Sequence, residues 1–225
     1  MARFDRISVF KKMEQTGLVP LFYDFDPQRA KKILLACYEG GARLLEFTAR
    51  GHRAKQVFDS LVDFADQQLP DMILGVGSLV DMASASAFID MGADFVVTPM
   101  LRADIAKVCN RRKIFWSAGC GSLFEIAKAE ELGCELVKLF PASVYGANFI
   151  KSVKAPCPWT RIMPTGGVGI DKKNLSEWFQ AGATCVGLGS NLIVKRTDGT
   201  YDYDMIKTNT QRTIATIDTI KKGLL

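Results

Sequence analysis

The sequence predicts an α/β chain folded as a (β/α)8 TIM barrel, a single domain over residues 1–225 with a short N-terminal helix and a C-terminal helical tail. Three observations lead there. Short apolar runs alternate strictly with amphipathic helical patterns, which implies a parallel sheet with its crossovers outside. The alternation repeats eight times, and eight such units close into a barrel. No G-x-G-x-x-G follows the first strand, so the competing doubly wound sheet lacks its usual ligand-binding turn.

The elements follow in order. Phe4, Ile7, Phe10 and Met13 recur on a three-residue step, the mark of a short amphipathic helix over 4–14. A strand at 18–22 precedes a helix at 27–40, where Pro27 suits the first turn and Gly40 the stop. Strand 42–48 leads to helix 54–69, strand 72–77 to helix 79–92, and strand 93–98 to helix 101–112. Strand 113–119 leads to helix 122–133, strand 135–140 to a short helix at 146–153, and strand 161–165 to helix 171–181. Strand 183–189 completes the set. The tail after Lys195 opens with a polar, turn-like RTDGTYDYD and ends in a helix carrying Ile214, Ile217 and Ile220.

Composition excludes several functions. The chain has 225 residues, 48% hydrophobic and 24% charged, with a formal net charge of +5. Its basic residues are interleaved with acids, and no basic stripe with aromatics points to nucleic acid. No apolar run approaches membrane-spanning length and the N-terminus lacks a signal-peptide core, so no membrane partner is expected and a cytoplasmic location is. Six cysteines without metal spacing read as free thiols of a reducing compartment, and a single histidine, His52, cannot anchor a multi-histidine metal site. No metal and no cofactor are expected.

The unusual residue is Lys138, in the run ELVKLF. Period-2 geometry puts Leu136 and Lys138 on one face and Val137 and Leu139 on the other, so the lysine aims where a leucine already points inward. A lone lysine near a strand end can lay its stem on apolar surface and keep its head in water. Here, however, other polar groups fall at strand ends, on the rim where barrels carry their active sites. Glu46 shares a face with Leu44, and Arg50 follows four residues on. Ser78 ends the third strand, Thr98 and Pro99 the fourth, and Thr165 with Gly166 and Gly167 the seventh. Gly189 and Ser190 end the eighth. The glycine turns after strands seven and eight lie where barrels commonly bind phosphate. Each feature alone has another explanation: a surface ion pair for Glu46, a turn for Gly166-Gly167, a helix cap for Ser78 or Ser190.

In order and spacing, L-E-F-T-x-R (45–50), G-V-G-S (75–78), V-K-L-F-P-A (137–142), P-T-G-G-V (164–168) and V-G-L-G-S (186–190) resemble segments of the 2-keto-3-deoxy-6-phosphogluconate (KDPG) / 4-hydroxy-2-oxoglutarate aldolase family. The resemblance runs from about residue 10 to residue 194. It implies a class I, Schiff-base aldolase acting on a small 2-keto acid, metal-free and usually a homotrimer. It also implies that Lys138 forms the imine, Glu46 moves protons, and Arg50 with Ser78 binds the pyruvate carboxylate. Gly166, Gly167, Gly189 and Ser190 would hold the phosphate. One segment departs from the family: Ala118-Gly119-Cys120-Gly121-Ser122-Leu123-Phe124-Glu125 stands where P-G-V-x-T-P-T-E is usual, in a loop expected to face the site.

The chemistry is consistent with that assignment. An amine can add to the C2 carbonyl of a 2-keto acid, and the iminium then accepts the electrons of the breaking C3–C4 bond. Two other readings remain open: a metal-independent phosphate-sugar isomerase or epimerase barrel with the same glycine turns, and a non-catalytic barrel that binds a phosphorylated metabolite. His52 is a further candidate base, although a loop histidine is more often a surface residue.

Overall fold

The structure is a computed structural model that describes residues 2–224. Nine parallel strands alternate with ten helices among these residues. Helix α1 (Arg6–Thr16) is capped by Asp5, whose carboxylate accepts from the amides of Ile7 and Ser8. It precedes β1 (Leu18–Phe22), α2 (Pro27–Glu39), β2 (Leu44–Thr48), α3 (Ala54–Gln68), β3 (Ile73–Gly77) and α4 (Met82–Asp90). Then come β4 (Phe95–Val97), α5 (Ala103–Arg112), β5 (Phe115–Ser117), β6 (Gly119–Cys120) and α6 (Leu123–Glu131). The chain continues through β7 (Val137–Leu139), α7 (Ala142–Tyr145), α8 (Ala147–Lys154), β8 (Ile162–Pro164), α9 (Lys172–Gln180), β9 (Val186–Leu188) and α10 (Tyr203–Lys222). Asp26, Asp81, Ser122, Asp171 and Asp202 cap five more helices through their own side chains, which is the common chemistry of helix starts.

The strands form a curled parallel sheet in the order β5-β4-β3-β2-β1-β9 and a second of order β6-β7-β8. Only Ala118 separates β5 from β6, and a parallel bridge from Thr165 to Gly187 lies between β8 and β9.

Side-chain parity divides the apolar residues in two. Leu44, Ile73, Phe95, Val97, Phe115, Leu136, Met163 and Cys185 cluster on the concave side with Val19, closed below by Val9 and Met13 of α1. Leu45, Phe47, Leu74, Val76, Val96, Trp116, Val137 and Leu139 point the other way and pack under the helices. Burial of both sets supplies the main drive to fold.

Four sequence expectations change. The fifth strand is two short pieces, β5 and β6, around Ala118. The helix expected at 146–153 is preceded by a separate turn of helix, α7, with Gly146 at φ 70 between them. The eighth strand has no helix directly after it: a turn follows, then a hairpin closed by an antiparallel bridge between Lys195 and Tyr201. The last helix then begins at Tyr203 rather than after the polar stretch, with Asp202 as its cap. All six cysteines are free, five of them buried and Cys157 half-buried. Among the described residues no helix is long and apolar enough to cross a membrane.

A buried carboxylate fastens the N-terminal segment to the sheet. Asp94, fully buried, accepts from the amides of Arg3 (2.7 Å) and Leu74 (2.9 Å) on opposite oxygens, and from Phe4 at 3.3 Å. Burial raises its carboxyl above the ordinary range, and the Leu74 and Arg3 amides pull it partly back. Asp94→Ala leaves these donors without a partner, so chemical denaturation is expected to show a loss of about 1–3 kcal/mol, the range for orphaned buried groups.

Candidate active site

Lys138 is 5% exposed, and its side chain rises on the concave side above Leu136. Its Nζ lies 3.9 Å from Oε1 of Glu46 and 4.9 Å from the centroid of the Phe140 ring. Glu46 has no exposed surface, and among the described residues neither carboxylate oxygen has a hydrogen-bond partner. A buried carboxylate left in that state is costly unless something else occupies the site with it. At 3.9 Å the ammonium attracts it without a direct hydrogen bond.

Two glycines make the room. A Cβ on Gly77 would collide with the Glu46 carboxylate, and one on Gly75 with the Phe95 ring. Both sit on the concave parity of β3, opposite Thr48 and Glu46 of β2. Gly75 thus leaves space for the Phe95 ring and Gly77 for the Glu46 carboxylate, which any side chain on Gly77 would displace.

Above this pair opens a cleft of about 680 Å³ lined by Lys138, Arg50, Ser78, Thr165 and the glycine turns, among others. Arg50 follows β2, and its Nε points at Ser78 Oγ from 3.5 Å. Ser78 holds a left-handed backbone, φ 64, a conformation uncommon outside glycine and suggestive of a functional turn. Gly166 and Gly167 are both left-handed, at φ 89 and 88. The start of α7 is latched to their turn: the Ser143 amide donates to the Gly166 carbonyl and the Ala142 amide to that of Thr165, each at 2.8 Å. Gly189 accepts from the amides of Leu192 and Ile193, both 2.9 Å, which curls residues 189–193 into a compact turn beside the cleft. Its lining also holds Pro99, Ser190 and Asn191, whose Nδ2 ties to the Val168 carbonyl at 2.7 Å.

The expected residues therefore converge, with two exceptions and one relocation. Thr98 is buried and donates to the Met100 carbonyl at 2.7 Å, away from the lining. His52 is exposed and borders a neighbouring hollow with Lys55 and Asp81. The unusual 118–125 segment lines no part of the cleft. Instead, Ser122 and Glu125 form a reciprocal cap: Ser122 Oγ accepts from the Glu125 amide, while Glu125 Oε2 accepts from the Gly121 amide at 2.9 Å. S-L-F-E is a capping box, and that signature was the signal for it. Sequence reading missed Tyr23, Phe140, Lys195 and Tyr201, which also line the cleft. Their positions depend on long-range packing. Among the described residues no cluster of three or more His, Cys, Asp or Glu side chains could hold a metal.

Comparison with known proteins gives a consistent result. The sequence profile of the KDPG and KHG aldolases matches residues 9–209. The 2-dehydro-3-deoxy-6-phosphogalactonate aldolase of Escherichia coli is 27% identical over 176 residues, 78% of this chain and 83% of that protein. The 2-dehydro-3-deoxy-phosphogluconate aldolase of Treponema pallidum is 26% identical over 209 residues, 92% of this chain and 97% of that one. In fold the chain is similar to a Legionella pneumophila KDPG aldolase with pyruvate captured as a covalent carbinolamine. That match has a TM-score of 0.81 at 21% identity and covers 90% of this chain and 96% of the other.

Proposed function

The chain belongs to the KDPG and KHG aldolase family, and from that premise we propose that it cleaves a 2-keto-3-deoxy-6-phospho sugar acid, or 4-hydroxy-2-oxoglutarate, to pyruvate and an aldehyde through a Schiff base on Lys138. One observation carries the reading. An almost fully buried lysine amine stands 3.9 Å from a wholly buried carboxylate whose oxygens are otherwise unpartnered, at the floor of a cleft bearing an arginine.

Neutral Lys138 Nζ adds to C2 of the keto acid to give a carbinolamine, and loss of water gives the iminium. The C4 hydroxyl then loses its proton and the C3–C4 electron pair moves toward the iminium nitrogen. The aldehyde departs and an enamine remains. Protonation at C3 and hydrolysis release pyruvate and regenerate the amine. Glu46 moves the protons, through a water where its oxygens do not reach the reacting atoms. Arg50 clamps the carboxylate with its planar fork, and Ser78 adds a hydroxyl beside it. Backbone groups of Gly166, Gly167, Gly189 and Ser190 cradle the phosphate, with Thr165 and Pro99 shaping the rim.

The same reading closes the sheets into a (β/α)8 barrel within one domain: the Ala118 junction joins β5 to β6 and the Thr165–Gly187 bridge joins β8 to β9. It makes the protein a cytoplasmic homotrimer. Free thiols support the compartment, and exposed apolar side chains at the starts of α4 (Met82) and α6 (Phe124) and in the loop after β4 (Met100) support the assembly.

Coupled detection of pyruvate across a panel of 2-keto-3-deoxy acids, with and without a terminal phosphate, tests the activity. Release from at least one is expected. An isomerase, an epimerase or a passive binder releases none.

A further inference from the structure

We propose that Lys195 is a specificity-determining residue that binds the substrate's terminal phosphate monoester and so favours phosphorylated 2-keto-3-deoxy acids over unphosphorylated ones. The inference rests on the aldolase reading of the cleft and names the group recognised at its outer end.

The cleft lining carries three cations, Arg50, Lys138 and Lys195, and no aspartate or glutamate. Arg50 follows β2 and Lys195 lies beyond β9, with β1 between those strands in the sheet, so the outer cations stand on opposite sides of β1. A molecule with an anionic group at each end matches this arrangement. The keto-acid carboxylate takes the Arg50 end, and the glycine turns after β8 and β9 lie on the Lys195 side.

The fold holds Lys195 in place. It pairs with Tyr201 across the hairpin, where the Arg196 amide donates to the Thr200 carbonyl at 2.7 Å. Its Nζ lies 4.7 Å from the centroid of the Tyr201 ring, so the ring face supports the ammonium. Tyr201 is buried and shares its surroundings with the Asp24 carboxylate. Burial, and after it the Asp24 charge, push the phenol up to about 12.

Nearby acids are already engaged. Asp24 accepts from Arg29 Nη2 at 2.8 Å and from the Asp26 amide at 2.7 Å. Arg196, next in the hairpin, pairs with Asp202 at 3.3 Å. Lys195 makes no ion pair among the described residues. Backbone amides offer a phosphate hydrogen bonds but little net charge, and a lysine supplies that charge as a compact point.

Lys195→Met keeps most of the stem of an exposed side chain and removes the charge. In steady-state cleavage its KM for the phosphorylated acid is expected to rise about tenfold or more, the effect of losing a hydrogen bond to a charged group. Its kcat and its KM for the unphosphorylated counterpart should hold within about twofold, because the lost contact is to phosphate alone. Inorganic phosphate should inhibit the variant more weakly by a similar factor, and Lys195→Arg should recover most of the loss. An unchanged KM for the phosphorylated acid, or an equal rise for both acids, overturns the proposal. If the wild-type protein releases no pyruvate from either acid, the aldolase reading fails on its own. Calorimetric titration of wild type and Lys195→Met with inorganic phosphate then decides the role of Lys195: weaker binding by the variant supports it and equal binding overturns it.

Discussion

Lys138→Ala is expected to reduce pyruvate release to the detection limit while the protein remains folded. Alanine removes the one amine on the cleft floor, and no other side chain there can form an imine. Lys195, the other lining lysine, sits on the outer hairpin. Lys138→Arg sharpens the result. It retains a positive charge near Glu46, but a guanidinium is not deprotonated in proteins and cannot add to a carbonyl. If charge alone mattered, the arginine variant would keep substantial activity; a nucleophilic role predicts that both variants are silent. Circular dichroism and the thermal midpoint distinguish lost chemistry from lost fold.

Glu46→Gln is expected to slow turnover by about 10²–10⁴, the usual value of a positioned proton-transfer group. Glutamine matches the carboxylate in size, so it fits beneath Gly77 without the overlap that a side chain on that glycine would cause. It cannot cycle a proton. The loss should therefore appear in kcat more than in KM, and covalent capture of pyruvate should slow with it. An unchanged kcat would make Glu46 a structural neighbour of the lysine and move the proton transfer elsewhere.

Strand parity was the most legible feature of the sequence. Leu44 with Glu46, and Leu136 with Lys138, occupy the concave side as period-2 geometry requires, because these strands are buried on both faces and a one-residue slip would invert every side chain. The start of the second helix was legible through Pro27, which opens it in the structure, whereas the helix expected from residue 79 begins at Met82 behind an Asp81 cap. What could not be read depends on distant partners. Nothing near Gly75 and Gly77 in the sequence announces the Phe95 ring and the Glu46 carboxylate that fill the space in front of them. Thr98 looks like rim chemistry, but its hydroxyl is taken by a carbonyl two residues away. RTDGTY reads as polar loop, and only the fold, which closes the Lys195–Tyr201 bridge and sets both residues in the cleft wall, shows that it borders the site. The 118–125 segment looked like altered substrate contacts and is a helix cap.

One buried amine performs the chemistry, and covalent trapping is the decisive measurement. The protein is incubated with pyruvate and borohydride, its intact mass is measured, and the modified peptide is sequenced. A single reduced pyruvate adduct is expected, on Lys138, absent from Lys138→Ala. An adduct on any other lysine, or the same adduct in the alanine variant, would contradict it.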